Sequence, residues 1–328
     1  MVSKKVNTRP SIAGNGQPGL RLPRRHRTRG GAEPILALLP ALIAMTLVQI
    51  GPMLVGVVMA FFRLTQFTIG NWLEAPFAGL QNITLAVNPT EPIGREFWGS
   101  MGLTALYTVL VVGIAWVFGM AGAVFLSDQF RGRGLLRSLF ILPYAIPAYA
   151  GVMIWTFMFQ SNGAINTLLG RDLHLLSSQT FWLSGAKAFG AILVAGVWQM
   201  WPFAFLMLLA GIQGVPGELY EAARVDGATR WTEFRDITLP VTRDVSRVLV
   251  LITGLWTFNN FTTPYVMFGN APPASTNLVS LQIYINSFVD LNFGLGAAMA
   301  VIMIAILVII ALLYIRLLRL NVGEVPNG

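Results

Sequence analysis

Long apolar runs alternate along the chain with short polar stretches, and six runs reach the roughly 20 residues a helix needs to cross a hydrocarbon core. They lie at about 35–62, 99–126, 138–160, 188–213, 247–268 and 292–316. Each predicts a membrane-spanning helix, so the expected fold class is all-α and polytopic, with six spans. Pro40, Gly51 and Pro52 interrupt the first run, a kink that neighbouring helices can satisfy. In the third run Pro143 and Pro147 stand four apart; each removes a backbone donor and bends the helix, leaving carbonyls free in mid-membrane. A break of that kind is where a transporter often places its route, and a merely bent packing helix explains it equally well.

Composition agrees with the pattern. Apolar residues make up 55% of the 328 positions and charged ones 11%, against roughly 25% charged in soluble domains. The basic residues set the orientation. Eight lie in residues 1–34, three after the second run (Arg131, Arg133, Arg137), five between the fourth and fifth (Arg224, Arg230, Arg235, Arg243, Arg247) and two at the end (Arg316, Arg319). Arg63, Arg95, Arg171 and Lys187 remain for the outer side, so both termini are expected in the cytoplasm. No short apolar stretch with a small-residue cleavage site precedes the first run, which is expected to stay as a span. The expected division is a flexible basic tail at 1–34, the first helix and an outer loop at 35–98, a core at 99–318 and a short cytoplasmic tail at 319–328. The basic tail needs no role beyond topology, and no nucleic-acid partner is assigned to it; membrane lipid is the implied surrounding. The absence of Cys excludes a disulfide framework, thiol catalysis and a Cys-ligated metal.

The most informative polar stretch is the inner loop 214–243. Glu221-Ala222-Ala223-Arg224-Val225-Asp226-Gly227 is followed by nine residues and Ile237-Thr238-Leu239-Pro240. Pro216 and Gly217 open a short helix with Glu218 in its first turn, where the macrodipole favours an acid, and Gly227 permits a reversal that a side chain would resist. A second short helix is expected from Arg230 to Ile237, stopped by Pro240.

This spacing resembles the EAA loop of bacterial ABC-importer permeases. The run from Arg137 through Trp155 to Asn166 resembles the third core helix of the sugar-importer branch, the MalF type, and Phe258-Asn259-Asn260-Phe261 matches a motif of that branch unaltered. The resemblance covers about residues 75–318 and implies a type I ABC-importer permease fold. It implies a coupling helix docked on a cytoplasmic ATPase through Glu221, Ala222, Ala223, Asp226 and Gly227. It further implies a sugar site at Tyr144, Gln199, Met200, Phe203, Thr253, Trp256, Thr257 and Asn260. Three of these depart from the MalF pattern, Met200 standing for a glycine, Trp256 for a phenylalanine and Thr257 for an asparagine, so the site is expected to persist while its sugar changes. The implied partners are a second homologous permease subunit, two ATP-binding subunits that hold ATP and Mg, and an extracytoplasmic substrate-binding protein or lipoprotein. The implied location is the bacterial cytoplasmic membrane.

The residues themselves support part of this. Uncharged amides and hydroxyls among aromatic faces in the fourth and fifth runs suit a neutral polyhydroxylated ligand, although the same groups also glue helices together. Inside the runs, short of Arg247 and Arg316 at their ends, no Asp, Glu, Lys, Arg or His occurs, which disfavours ion-coupled transport and a charged selectivity ring. No GxxxxGK[ST], HExxH or paired-carboxylate site is present, so the chain is expected to be neither an ATPase nor another enzyme and to carry no cofactor or metal. Two other readings stay open: an ABC permease for glycerol phosphodiesters, peptides or polyamines, and a polytopic membrane-enzyme or assembly subunit.

Overall fold

A computed structural model describes residues 33–175 and 180–318. The expected tails at 1–34 and 319–328 fall, but for Glu33 and Pro34, outside the described residues. Two compact units are distinguished, Met1–Pro52 and Met53–Gly328. In the first, α1 (Glu33–Met45) carries Pro40 and runs into a π turn, Thr46–Ile50, closed by Gly51 N–H donating to the Thr46 carbonyl. Helix α2 (Gly51–Met59) begins at the boundary. The apolar stretch Leu38–Met59 is long enough to cross a membrane.

In the second unit α3 (Gln81–Val87) precedes α4 (Pro92–Phe125), then α5 (Arg133–Ala145), α6 (Ala148–Met158), the single turn α7 (Ala164–Asn166) and α8 (Lys187–Gln213). The loop 214–243 holds α9 (Gly217–Val225), α10 (Arg230–Glu233) and the turn α11 (Leu239–Val241). Helices α12 (Arg243–Phe258), α13 (Thr262–Phe268), α14 (Val279–Tyr284) and α15 (Phe293–Leu318) complete it. No strand occurs among the described residues; one isolated bridge pairs Phe62 with Phe77.

Helix α4 is the axis of the packing. Its first third contributes Phe97 and Met101 to a cluster with Phe258, Leu295 and Met299. Its middle contributes Tyr107 and Val111 to one with Val152, Ile192 and Ala195, and its C-terminal end Met120 and Ala123 to one with Phe205, Leu208 and Leu249. Lipid tails are as apolar as these side chains, so shape complementarity rather than expulsion of water holds such helices together. Small residues set the approach. A Cβ at Gly119 would lie 2.8 Å from the backbone of Ala204 and Phe205, and one at Gly196 2.2 Å from the Tyr107 hydroxyl. Gly119→Val is accordingly expected to cost about 1–3 kcal/mol by overpacking, read as a lower detergent-denaturation midpoint, whereas Gly99→Val, whose Cβ meets open space, is expected to leave it unchanged.

The expected count of six spans is not confirmed. Among the described residues four helices are long and apolar enough to cross a membrane, Leu38–Met59, Pro92–Phe125, Lys187–Gln213 and Phe293–Leu318, and the bent pair α5 and α6 makes a fifth if both arms count as one span. Those arms meet at 92°. The break falls at Ile146, which adopts an extended φ −80°, ψ 129°, because Pro147 bars its predecessor from the helical region; Pro143 is absorbed inside α5. The expected span 247–268 is split between α12 and α13. Asn260 causes the split by capping a new helix: its Oδ1 accepts the Thr263 N–H at 3.0 Å, and Pro264 follows in the first turn, where its missing donor is harmless. Outside the expected spans, the stretch between the runs 247–268 and 292–316 contains an apolar helix, Val279–Val289.

Candidate translocation and coupling sites

The expected ligand residues separate into two groups. Tyr144 ends α5, Phe203 lies one residue past Pro202 in α8, and Trp256 lies near the end of α12. Their rings form a row: Tyr144 stacks on Phe203 with centroids 6.0 Å apart and planes at 29°, and Phe203 meets Trp256 at 5.1 Å. Tyr144 is 48% exposed and Trp256 51%, while Phe203 between them packs on the cluster of Phe205 and Leu208, so the row is an open wall seated on that core. Gln199 lies one turn from Phe203 on the same helix face and makes no hydrogen bond among the described residues, leaving its amide free. Met200, its neighbour, packs instead against the Tyr107 cluster.

The other three residues point inward. Thr253 is buried and donates its hydroxyl to the Leu249 carbonyl at 2.7 Å. Thr257 is buried with its hydroxyl unpartnered. The Asn260 amide nitrogen donates to Thr263 Oγ1 at 3.0 Å and to the Tyr107 hydroxyl at 3.2 Å. Tyr107, fully buried in α4, was not singled out from the sequence. The available signal was its phenol in an otherwise apolar run, since a tyrosine buried in lipid must find a partner; that the partner is Asn260, 153 residues on, no local pattern carries.

The inner loop closes into a braced elbow. Helix α9 ends in a Schellman turn: Gly227 takes φ +84°, its N–H donates to the Arg224 carbonyl at 3.1 Å, and the Ala228 N–H reaches back to Ala223 at 2.9 Å. Thr229 then caps α10 by accepting the Thr232 N–H. Arg224 grips the buried Glu233 through Nε at 2.6 Å and Nη2 at 3.4 Å, and this carboxylate holds the guanidinium above its ordinary pKa. Tyr220 and Thr238 join hydroxyls at 3.0 Å. A further ion pair, Arg230 to Asp128 at 2.8 Å, ties the elbow to the turn between α4 and α5.

The second helix of the elbow differs from the expected Arg230–Ile237. After α10 the chain widens into a π turn, Phe234–Thr238, and continues through Leu239–Val241 towards α12. Pro240 therefore stands in the opening turn of α11 instead of stopping its predecessor. Glu221, Ala222, Asp226 and Gly227 are exposed and Ala223 is half-buried. Neither Glu221 nor Asp226 forms an ion pair among the described residues, and Leu219, Val225 and Trp231 stand exposed beside them. Two free carboxylates, small alanines and three uncovered apolar side chains describe a surface made to be covered.

The family model for the binding-protein-dependent transport system inner membrane component matches residues 112–321, from the middle of α4 past the end of α15. The chain belongs to this family. The permease is 32% identical over 248 residues, 75% of its length and 81% of the relative's, to the trehalose/maltose transport system permease protein MalF of Thermococcus litoralis. It is also 32% identical over 287 residues, 87% and 90% of the two chains, to the sulfoquinovosyl glycerol transport system permease protein SmoG of Agrobacterium fabrum. Among solved structures, a bacterial ABC transporter involved in the import of alginate superposes on 89% of the permease and 97% of that chain with a TM-score of 0.69 at 21% identity, which establishes the fold. The permease is thus a multi-pass membrane protein and a transport subunit of an ABC importer, not an enzyme.

Proposed function

We propose that this permease moves a sugar, a di- or oligosaccharide, across the bacterial cytoplasmic membrane by alternating access, with both termini inside. The ring row Tyr144–Phe203–Trp256 carries the reading. Exposed aromatic faces next to the free Gln199 amide offer a sugar an apolar C–H platform with a hydrogen-bonding edge. Met200, Thr253, Thr257 and Asn260, which are less exposed than Tyr144 and Trp256, complete the proposed sugar site, and Asn260 sits just past the end of α12. The relatives named for trehalose, maltose and sulfoquinovosyl glycerol transport support the substrate class.

An open wall needs a second half, which a homologous permease subunit supplies. The elbow residues Glu221, Ala222, Ala223, Asp226 and Gly227 dock in a cleft of one of two ATP-binding subunits, where ATP and Mg are held. An extracytoplasmic binding protein delivers the sugar; the alginate transporter has been seen with a pentasaccharide-bound periplasmic protein. Closure of the ATPases then turns the elbow and switches the wall between inward and outward access, provided that nucleotide and sugar favour the same state.

The test is a reconstituted complex of permease, partner permease, ATPases and binding protein in proteoliposomes, offered sugars, peptides and polyamines in turn. Stimulation of ATP hydrolysis and uptake by a sugar, starting with trehalose and maltose, is the expected result. Stimulation by a peptide or polyamine, with every sugar silent, overturns it.

A further inference from the structure

We propose that the groove between α4, α12 and α15, on the coupling-loop side of the permease, binds an anionic phospholipid, with an acyl chain along the groove and the phosphate at Arg243 and Arg247. The cavity measures about 810 Å³. Its walls include Val109, Val112, Trp116 and Val250, and two glycines, Gly113 and Gly254, line it. A Cβ at either glycine would meet nothing within 4 Å, in contrast to Gly119 and Gly196. No close approach within the chain accounts for this pair; their effect is to keep a trough open.

Length and charge identify the occupant. Eleven residues separate Arg243 from Gly254 in α12, about 16 Å at about 1.5 Å per residue, or roughly half of a hydrocarbon core of about 30 Å. A trough one leaflet deep fits an acyl chain. At its mouth Arg243 is exposed and forms no ion pair among the described residues. Arg247 lines the groove with its side chain 22% exposed; its partner Asp244, at 2.8 Å, is 83% exposed and does not line the cavity. The Tyr314 hydroxyl holds the Arg247 carbonyl at 2.9 Å, fixing α15 against this turn. Arg316, on α15, is not among the lining residues. One turn in from Arg243, the buried hydroxyl of Ser246 has no partner and can donate to an ester carbonyl. Guanidinium forks match phosphate oxygens, and a basic pocket between spans near the inner leaflet suits an anionic headgroup. A free soluble anion would leave the trough unused.

The test is native mass spectrometry of the intact importer complex, released from mild detergent containing equal phosphatidylglycerol and phosphatidylethanolamine. Wild type is expected to retain phosphatidylglycerol, and Arg243→Gln with Arg247→Gln to lose it by at least about tenfold. Gly113→Leu with Gly254→Leu fills the trough with the charges intact and is expected to expel the lipid as well, while Arg131→Gln, at another inner turn, retains it. Equal retention of the two lipids by wild type, or unchanged phosphatidylglycerol in both double variants, overturns the proposal. So does loss of the partner permease from the glycine double variant when wild type carries no lipid, which makes the groove a protein interface. Because lipid occupancy is the readout, the result stands apart from whether the cargo is a sugar.

Discussion

A Gly227→Pro variant is expected to reach the membrane at wild-type levels and to lose uptake to background while the ATPases still bind and hydrolyse ATP. Proline holds φ near about −65°, and Gly227 sits at +84°. It also removes the N–H that closes the turn onto Arg224 and pushes Asp226 out of its φ −77°, ψ 2° conformation. Helix α9 therefore cannot reverse into α10, and the outer face of the elbow is no longer presented as one surface. The spans are spared, because nothing packs within 4 Å of a Cβ at this position. Gly227→Asn separates shape from bulk: asparagine tolerates the left-handed region, so it is expected to keep most of the uptake. Uptake is measured with radiolabelled sugar in proteoliposomes, beside ATP hydrolysis in the same preparation. Wild-type uptake by Gly227→Pro would remove the elbow from the coupling path.

The brace inside the elbow makes a separate demand. Glu233 is buried and, among the described residues, Arg224 is the side chain that satisfies its carboxylate. Arg224→Ala leaves that charge in a poorly solvated place, whereas exposed pairs such as Arg235 with Asp236 contribute little. Arg224→Ala is therefore expected to weaken coupling in the direction of Gly227→Pro, and Arg235→Ala to leave uptake near wild type, both read in the same assay.

The contrast between what the chain spells out locally and what it does not follows from range. Apolar runs and the spacing from Glu221 to Pro240 are local signals, and the long helices α4, α8 and α15 and the Gly227 reversal appear where they place them, whereas the runs 138–160 and 247–268 break into two helices each and the helix expected over Arg230–Ile237 gives way to a π turn. The π turns at Thr46–Ile50, Phe234–Thr238 and Ile285–Val289 leave no comparable mark, because one extra residue in a turn changes packing direction without changing hydropathy. The split between α12 and α13 was written in Asn260-Phe261-Thr262-Thr263-Pro264 as a cap and a first-turn proline, but a hydropathy run passes over both. In the aromatic row, Tyr144, Phe203 and Trp256 come together from three helices. Asn260 bonds Thr263 three residues on and Tyr107 in α4, and the second of these contacts only the tertiary fold creates.

Trp256→Ala is expected to raise the sugar concentration for half-maximal uptake by about 30-fold, the equivalent of about 2 kcal/mol for a well-placed aromatic contact, with basal ATP hydrolysis unchanged. The ring is half exposed and its aromatic contact is with Phe203, so truncation is expected to leave no enclosed cavity and to destabilise little. Trp256→Phe keeps a face of the same orientation and is expected to lose no more than a few-fold. Phe203 lies between the two outer rings, and Phe203→Ala is expected to exceed Trp256→Ala because it removes a platform and releases its neighbours together. Thr253→Val supplies the comparison at a buried position: its hydroxyl serves Leu249, so it is expected to move stability more than half-saturation. The ordering Phe203→Ala, then Trp256→Ala, then Trp256→Phe, read from substrate-dependent uptake, belongs to a wall that touches the sugar. Equal half-saturation in all three would mean that the rings pack only against the partner permease.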